Sequence, residues 1–506
     1  MKIERRKNAK NNILFGILLK LYNILLPFLM RTAMIYYLGV EYLGLNSLFT
    51  SILHVLNLAE LGIGSSMVFA MYKPIAVDDR STLCALLALY RKYYRIVGAV
   101  VLTGGVVLLP FLPKLIHGSV PRGINLYVLY LLNLFSTVSS YWLFAYRNSI
   151  LHAHQRNDVI SKIQLLTNTI KYCFQLIVLA VLRNYYLYVV IIIIAQILEN
   201  LITAFAAGKM YPEYKPKGEL KEEEKREINN RIKDFFTAKF GGTVLSSVDT
   251  VVISAFLGLR VLAIYQNYYY VMNSIVGIFT IIFTAIRAGI GNSMVLDSTE
   301  KNYQDYRTLT FITFTLISFC SACMATMYQP FITIWVGKDL LLSYSFVFLF
   351  CLYFLSVEYV KLGSVYKDAA GIWHQDRFRP LIAGLINLGL NLLMVRKYGL
   401  YGIMISTIVS EGFISGPWIT LNLFKHVFNG RLNDYTGLLV KCIFMVAVVT
   451  ASAAFLASML HFQLIITMVL SLLISTFCTC LFCVLMYHKT NEYKRAKRMV
   501  LPMIRG

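Results

Sequence analysis

The sequence predicts an all-α, polytopic membrane protein of about fourteen transmembrane helices built as two parallel repeats. Three observations predict it. The chain of 506 residues is 58% hydrophobic and only 14% charged, whereas a soluble domain carries about 25% charged residues; water is not the solvent for so much apolar surface. Apolar runs of about 20 residues, enough to cross a bilayer, recur along the whole chain. Basic residues gather in alternate loops, which is the signature of membrane topology rather than of a nucleic-acid footprint despite the net charge of +23.

The expected spans fall at 13–38, 43–71, 92–113, 124–146, 163–183, 185–207, 235–258, 262–290, 308–336, 343–365, 379–396, 400–424, 435–460 and 463–487. The runs 379–396 and 400–424 hold several Gly and Asn and are the least apolar. Met1 to Asn12 is basic, but the run after it is too long for the apolar core of a signal peptide and reads as a retained first span. With both termini cytoplasmic, 35 of the 48 Lys and Arg fall in cytoplasmic segments. Only Lys114, Arg122, Arg183, Arg260, Lys338, Arg396 and Lys397 fall outside. The longest polar stretch, 208–234, reads as a cytoplasmic linker. The expected organisation is therefore an N-terminal half at 1–207, the linker, a C-terminal half at 235–424, and two further spans with a basic tail at 425–506.

The start of each half overlays the other. Leu38-Gly39-Val40 matches Leu257-Gly258-Leu259, which sets Lys20 on Lys239; Gly62-Ile63-Gly64 matches Gly289-Ile290-Gly291, which sets Glu60 on Arg287. Six spans separate the copies, so both enter the membrane in the same direction, as in transporters with parallel repeats.

Ionisable residues at membrane depth are costly and point to function. The bases are Lys20, Arg31, Lys171, Lys239, Arg287 and Lys361; the acids are Glu60, Glu199, Asp249, Glu358 and Glu411. Lys20, Asn23, Pro27 and Arg31 line one face of the first span, and Lys239, Ser246 and Asp249 or Thr250 form a looser stripe on the seventh. Arg offers a bidentate fork to phosphate and Lys a compact point charge, so Lys20, Arg31, Lys239 and Arg287 are the candidate anion-binding residues. Ion pairing with the acids is the competing reading. Glu60, Asp249 and Glu411 are candidates for proton coupling, with a structural ion pair as the alternative for the first two. Glu358 and Lys361, three apart on one helix face, read as a local pair. Tyr93-Tyr94, Tyr185-Tyr186 and the run Tyr268 to Tyr270 read chiefly as interfacial aromatics. The C-x-x-C pairs Cys320/Cys323 and Cys480/Cys483 lie inside apolar runs without His and read as packing. No P-loop, GxSxG or HExxH occurs, so no catalytic residue, metal or cofactor is expected.

The segment Arg31 to Asp78 carries a further signal: Leu38-Gly39-x-x-x-Leu43-Gly44-Leu45, then Glu60-Leu61-Gly62-Ile63-Gly64-Ser65, then Tyr72-Lys73-Pro74-Ile75-Ala76. These blocks resemble the polysaccharide-transport family, the Wzx-type O-antigen and capsule repeat-unit flippases of the multidrug/oligosaccharidyl-lipid/polysaccharide (MOP) exporter superfamily; Tyr398-Gly399-Leu400-Tyr401-Gly402-Ile403 fits the same pattern. The resemblance implies a MATE-like, V-shaped bundle of two lobes and alternating access around a cationic cavity. It implies an undecaprenyl-diphosphate-linked oligosaccharide as substrate, with Lys20, Arg31 and Lys239 at positions that meet the pyrophosphate. It also implies an inner-membrane location, with a polysaccharide polymerase and a chain-length regulator as partners. A lipid II flippase and a cation-coupled multidrug exporter of the same superfamily are the alternatives. A membrane-embedded glycosyltransferase would need a large outside loop, and the longest here is about ten residues.

Overall fold

The computed structural model describes residues 5–118, 120–121, 123–428 and 430–505. Among these residues there is no strand; the chain is helical throughout. It divides into two compact units, Met1–Ala263 and Ile264–Gly506. Twelve helices among the described residues are long and apolar enough to span a membrane, thirteen if a bent pair, Leu126–Trp142 with Ala145–Ala153, is one span.

The first unit holds α1 (Arg5–Tyr37), α2 (Val40–Leu56), α3 (Ile63–Ala76), α4 (Arg80–Leu108), α5 (Leu126–Trp142), α6 (Asn148–Ala153), α7 (Asn157–Ile177), α8 (Tyr185–Met210) and α9 (Glu222–Leu257). Capping side chains fix several starts: Asp79, Asn125 and Asn184 accept from backbone N–H groups in the first turns of α4, α5 and α8. Within the unit α1 lies along α7, α7 on α8, α5 on α4 and α8, and α9 against α2 and α3. Of the expected linker 208–234, only 211–221 is non-helical; its start is the end of α8, and from Glu222 it is the start of α9. The division between the compact units falls after α9, so the seventh span packs with the first six.

The second unit holds the rest of α10 (Leu259–Leu296), α11 (Thr299–Val336), α12 (Tyr344–Ala370), α13 (Trp373–Asp376), α14 (Arg379–Tyr398), α15 (Leu400–Ile408), α16 (Gly416–His426), α17 (Leu432–Ser458), α18 (Leu464–Tyr487) and α19 (Asn491–Arg505). Helix α11 is the axis, packed by α12, α17, α18 and α19. The two final spans are therefore built into this unit. A cluster of buried aromatics sits at one end: Tyr306 stacks on Tyr435 at 5.1 Å and meets Tyr366 edge-on at 4.6 Å. Between membrane helices, close packing and hydrogen bonds rather than the hydrophobic effect hold the fold. A Cβ on Gly416 would come within 2.4 Å of the Tyr359 ring, and one on Gly363 within 3.0 Å of Ile419.

The expected span 400–424 is a helical stretch interrupted by a π-helical segment, Val409–Ser415, between α15 and α16. This interruption is why it is not one of the uninterrupted spans. The repeat signal has a direct structural basis. Gly39 (φ 116, ψ 167) and Gly258 (φ 89, ψ 171) break the chain between two helices with nearly the same backbone, one that only glycine adopts readily.

Candidate functional site

The α1 stripe begins with Lys20 and Asn23, both exposed, and continues through Pro27 to Arg31, both half-buried. Its environment follows from the rest of the helix. Leu14, Leu18, Leu21, Leu25 and Leu29 are each about half exposed, Leu14 at 59% and Leu29 at 56%, and form the lipid-facing row. At about 100° per residue the Lys20–Arg31 row lies roughly 150° around the helix from the leucines. The basic stripe therefore lies on a different face of α1 from the exposed leucines. Tyr22, on the α7 side, shares a 2.8 Å hydrogen bond with Thr169.

Helix α9 brings the other candidates of the first unit. The side chain of Lys239 lies outside the described residues. Asp249 and Thr250 are buried at 6% and 3% exposure, and the Ser247 hydroxyl lies 3.1 Å from His54 Nδ1 on α2. Glu60 sits in a 3₁₀ turn, Asn57–Glu60, between α2 and α3. The hydroxyl of Tyr94 donates to its Oε1 at 2.6 Å and that of Tyr141 to its Oε2 at 3.0 Å, and Tyr90 donates to Tyr94 at 2.7 Å. Both carboxylate oxygens are thus held by phenols rather than by a base. Tyr94 is buried, contrary to its expected interfacial place, because it closes this cluster. Tyr185 is likewise buried, and Tyr268 is fully buried with its hydroxyl between Gln329 and the Leu342 N–H. Both side chains are turned into the protein.

The second unit pairs its charges. Arg287 lies 3.5 Å from Asp368, Lys367 bridges Asp368 (3.2 Å) and Asp376 (3.6 Å), and Arg379 donates to Asp376 at 2.9 Å. The expected Glu358–Lys361 pair forms at 3.2 Å, with Glu358 fully buried and Lys361 also donating to Thr280 at 3.1 Å. Glu411 lies in the π-helical segment, within electrostatic reach of Arg379 and Lys361. Sequence reading missed Asp368, Asp376 and Arg379, because they lie at span ends where charge is ordinary. It also missed Tyr94 and Tyr141, whose partner is 34 and 81 residues away.

The structure thus gathers Lys20, Arg31, Glu60, Asp249 and the α9 backbone at Lys239 into one unit, and Arg287 and Glu411 into the other. No protein-family model matches the chain, and no curated protein matches it. Solved structures do. A lipid II flippase, MurJ, in an inward closed conformation aligns with TM-score 0.67 and 16% identity over 94% of this chain and 99% of that one. An inward-facing multidrug resistance MATE transporter of the MOP superfamily aligns at 0.59 and 13% over 80% and 95%. The eukaryotic MATE transporter AtDTX14 aligns at 0.55 and 10% over 85% and 98%. The chain has a fold like that of MurJ and the MATE transporters. It is a multi-pass membrane protein.

Proposed function

We propose that this chain is a flippase that carries undecaprenyl-diphosphate-linked oligosaccharide units across a bacterial cytoplasmic membrane for surface polysaccharide synthesis, with both termini in the cytoplasm. The observation that carries this reading is the α1 row of Lys20, Asn23, Pro27 and Arg31, set opposite the exposed leucine row. Bases held at membrane depth and turned from lipid suit an anionic ligand, and Lys with Arg suits a pyrophosphate. Lys239 on α9 adds a third base to the same unit. In the second unit Arg287, paired with Asp368, is the proposed anion-binding base. Glu60, Asp249 and Glu411 are the carboxylates proposed to couple transport to protons. A polysaccharide polymerase and a chain-length regulator are the proposed partners downstream.

Replacing Lys20 and Arg31 together with Ala is expected to abolish surface polysaccharide while the protein still inserts, with lipid-linked units accumulating on the cytoplasmic leaflet. Normal surface polysaccharide from that double variant overturns the proposal. A second reading, lipid II transport, is favoured by the alignment with MurJ, whose TM-score of 0.67 exceeds the 0.59 of the MATE structure. Expression in cells depleted of their own lipid II flippase separates the two: restored growth selects lipid II, and continued arrest selects the oligosaccharide.

A further inference from the structure

A second polar row crosses the first unit, and the basic stripe does not account for it. Helix α7 carries Gln164, Asn168 and Lys171 at helical spacing, and α8 carries Gln196, Glu199 and Asn200. Gln164 donates to Glu199 at 3.1 Å across the two helices, Lys171 donates to Asn168 at 2.8 Å, and Gln196 to Asn200 at 3.3 Å. Lys171 is also within electrostatic reach of Glu199.

Both helices show where lipid lies. On α7 the exposed apolar row is Leu166, Phe174 and Ile177; on α8 it is Ile194, Leu201 and Phe205, the last 72% exposed. At about 100° per residue the polar row lies roughly 130° from the lipid row on α7 and nearly opposite it on α8. All six polar side chains are half-buried. They are thus accessible, yet turned from lipid, which is the position of groups lining a water-filled cleft. Their depth follows from the chain. The span runs from Asn157 to Leu182, so Gln164 to Lys171 lies roughly 10–20 Å in from its start, near the middle of a core about 30 Å thick.

The chemistry of the row differs from that of α1. Four carboxamides supply donors and acceptors together, and Glu199 and Lys171 cancel in charge. A phosphate, which only accepts, can use the donors of this set but not its carboxamide and carboxylate oxygens. Sugar hydroxyls and acetamido groups both donate and accept, and match it. The row also lies at the same depth as the proposed anion site. Helices α1 and α7 run parallel: Asn12 accepts from the Asp158 N–H at 2.7 Å, and Tyr22 bonds Thr169 at 2.8 Å. That register sets Lys20 level with Thr167, inside the row.

We propose that Gln164, Asn168, Lys171, Gln196, Glu199 and Asn200 form the glycan subsite, which binds the first sugars of a substrate whose pyrophosphate sits at Lys20. This inference rests on the flippase reading above.

The test compares two probes on purified protein in detergent: undecaprenyl diphosphate alone, and the lipid-linked glycan pool extracted from cells in which the gene is deleted. Wild-type protein is expected to bind the glycan pool more tightly than the bare lipid diphosphate. The Asn168→Leu/Asn200→Leu variant is expected to lose roughly tenfold for the glycan pool, the weight of one or two hydrogen bonds, and nothing for the bare diphosphate. Its melting temperature reports folding, and if the pair does not fold, Asn168→Ala and Glu199→Gln singly make the same comparison with smaller losses. A wild type that favours the glycan pool, with variants that bind it just as tightly, overturns the subsite and leaves the flippase reading standing. A wild type that binds neither probe overturns both.

Discussion

The second span of each repeat begins alike and then diverges. Gly39 and Gly258 open them with the same extended break. In the first repeat the helix stops at Leu56, makes a 3₁₀ turn through Glu60, and restarts at Ile63 after Gly62 in a left-handed conformation (φ 89). In the second repeat α10 runs from Leu259 to Leu296 without a stop, and Gly289 and Gly291 are ordinary helical residues. The polar residue aligned at this point follows the backbone. Glu60, at the break, is enclosed by Tyr94 and Tyr141; Arg287, on the continuous helix, is half exposed and pairs with Asp368. One sequence pattern, Gly-Ile-Gly, thus serves two backbones, and the neighbours rather than the motif decide which.

The sharpest way to break this comparison is through the glycines. A Cβ on Gly44 would lie 2.2 Å from the Leu259 carbonyl oxygen, a backbone atom that cannot swing aside, whereas Gly289 has nothing within 4 Å. Gly44→Val is expected to cost about 3 kcal/mol or more, the upper end for overpacking, and to leave little folded protein. Gly289→Ala is expected to stabilise by about 0.5–1 kcal/mol, since it removes backbone freedom from a helix. Melting temperatures of the two variants in one detergent check both signs; a tolerated Gly44→Val would show that α2 and the start of α10 are not in close contact.

These glycines also show what was legible in the sequence. The resemblance blocks are backbone devices: Gly39 is a break, Gly44 a close approach, Gly62 a left-handed restart. Such constraints belong to the fold, so they predicted the fold, and composition predicted the lipid. The polar stripe on α1 was legible because both its own residues and the leucines opposite lie on one helix. The pairing of Arg287 with Asp368 was not, nor was the phenol cage of Glu60, because each joins residues from different helices. The span 400–424 was legible as an apolar run, but its π-helical interruption, packed so closely that a Cβ on Gly412 would meet Ser356 at 2.8 Å, depends on a neighbouring helix.

A smaller effect separates the two aligned charges themselves. Glu60→Leu strands the Tyr94 and Tyr141 hydroxyls in a buried place and is expected to cost about 2 kcal/mol, within the range for an unsatisfied buried group. Glu60→Gln keeps an acceptor and is expected to cost about half of that. Arg287→Ala removes a half-exposed pair and is expected to change stability by less than about 1 kcal/mol. Denaturant titration of the three variants orders them; an Arg287→Ala loss as large as that of Glu60→Leu would mean that the second repeat depends on its charge as much as the first.

The smallest effect concerns the turn after each repeat's fourth span. In the second unit that turn is ionic, with Asp376 between Arg379 and Lys367. In the first it is ionic as well, with Asp158 between Arg156 and Lys162, but an aromatic cluster is added to it. His154 is 5% exposed, its Nδ1 is 2.9 Å from the Ile150 carbonyl, and its ring packs at 4.2 Å from Tyr211 and 5.6 Å from Tyr214. Burial pulls its pKa below the ordinary histidine value of 6.5. The folded state therefore favours the neutral ring, and the unfolded chain binds the proton first as pH falls. The stability that the neutral ring contributes is complete above about pH 6.5 and is lost as pH drops below it. His154→Phe keeps the packing and removes the proton, so its melting temperature is expected to fall less than that of the wild type between pH 7.5 and pH 5.5. Equal falls in both proteins would place the acid sensitivity elsewhere and remove the difference that the buried His154 cluster makes between the two turns.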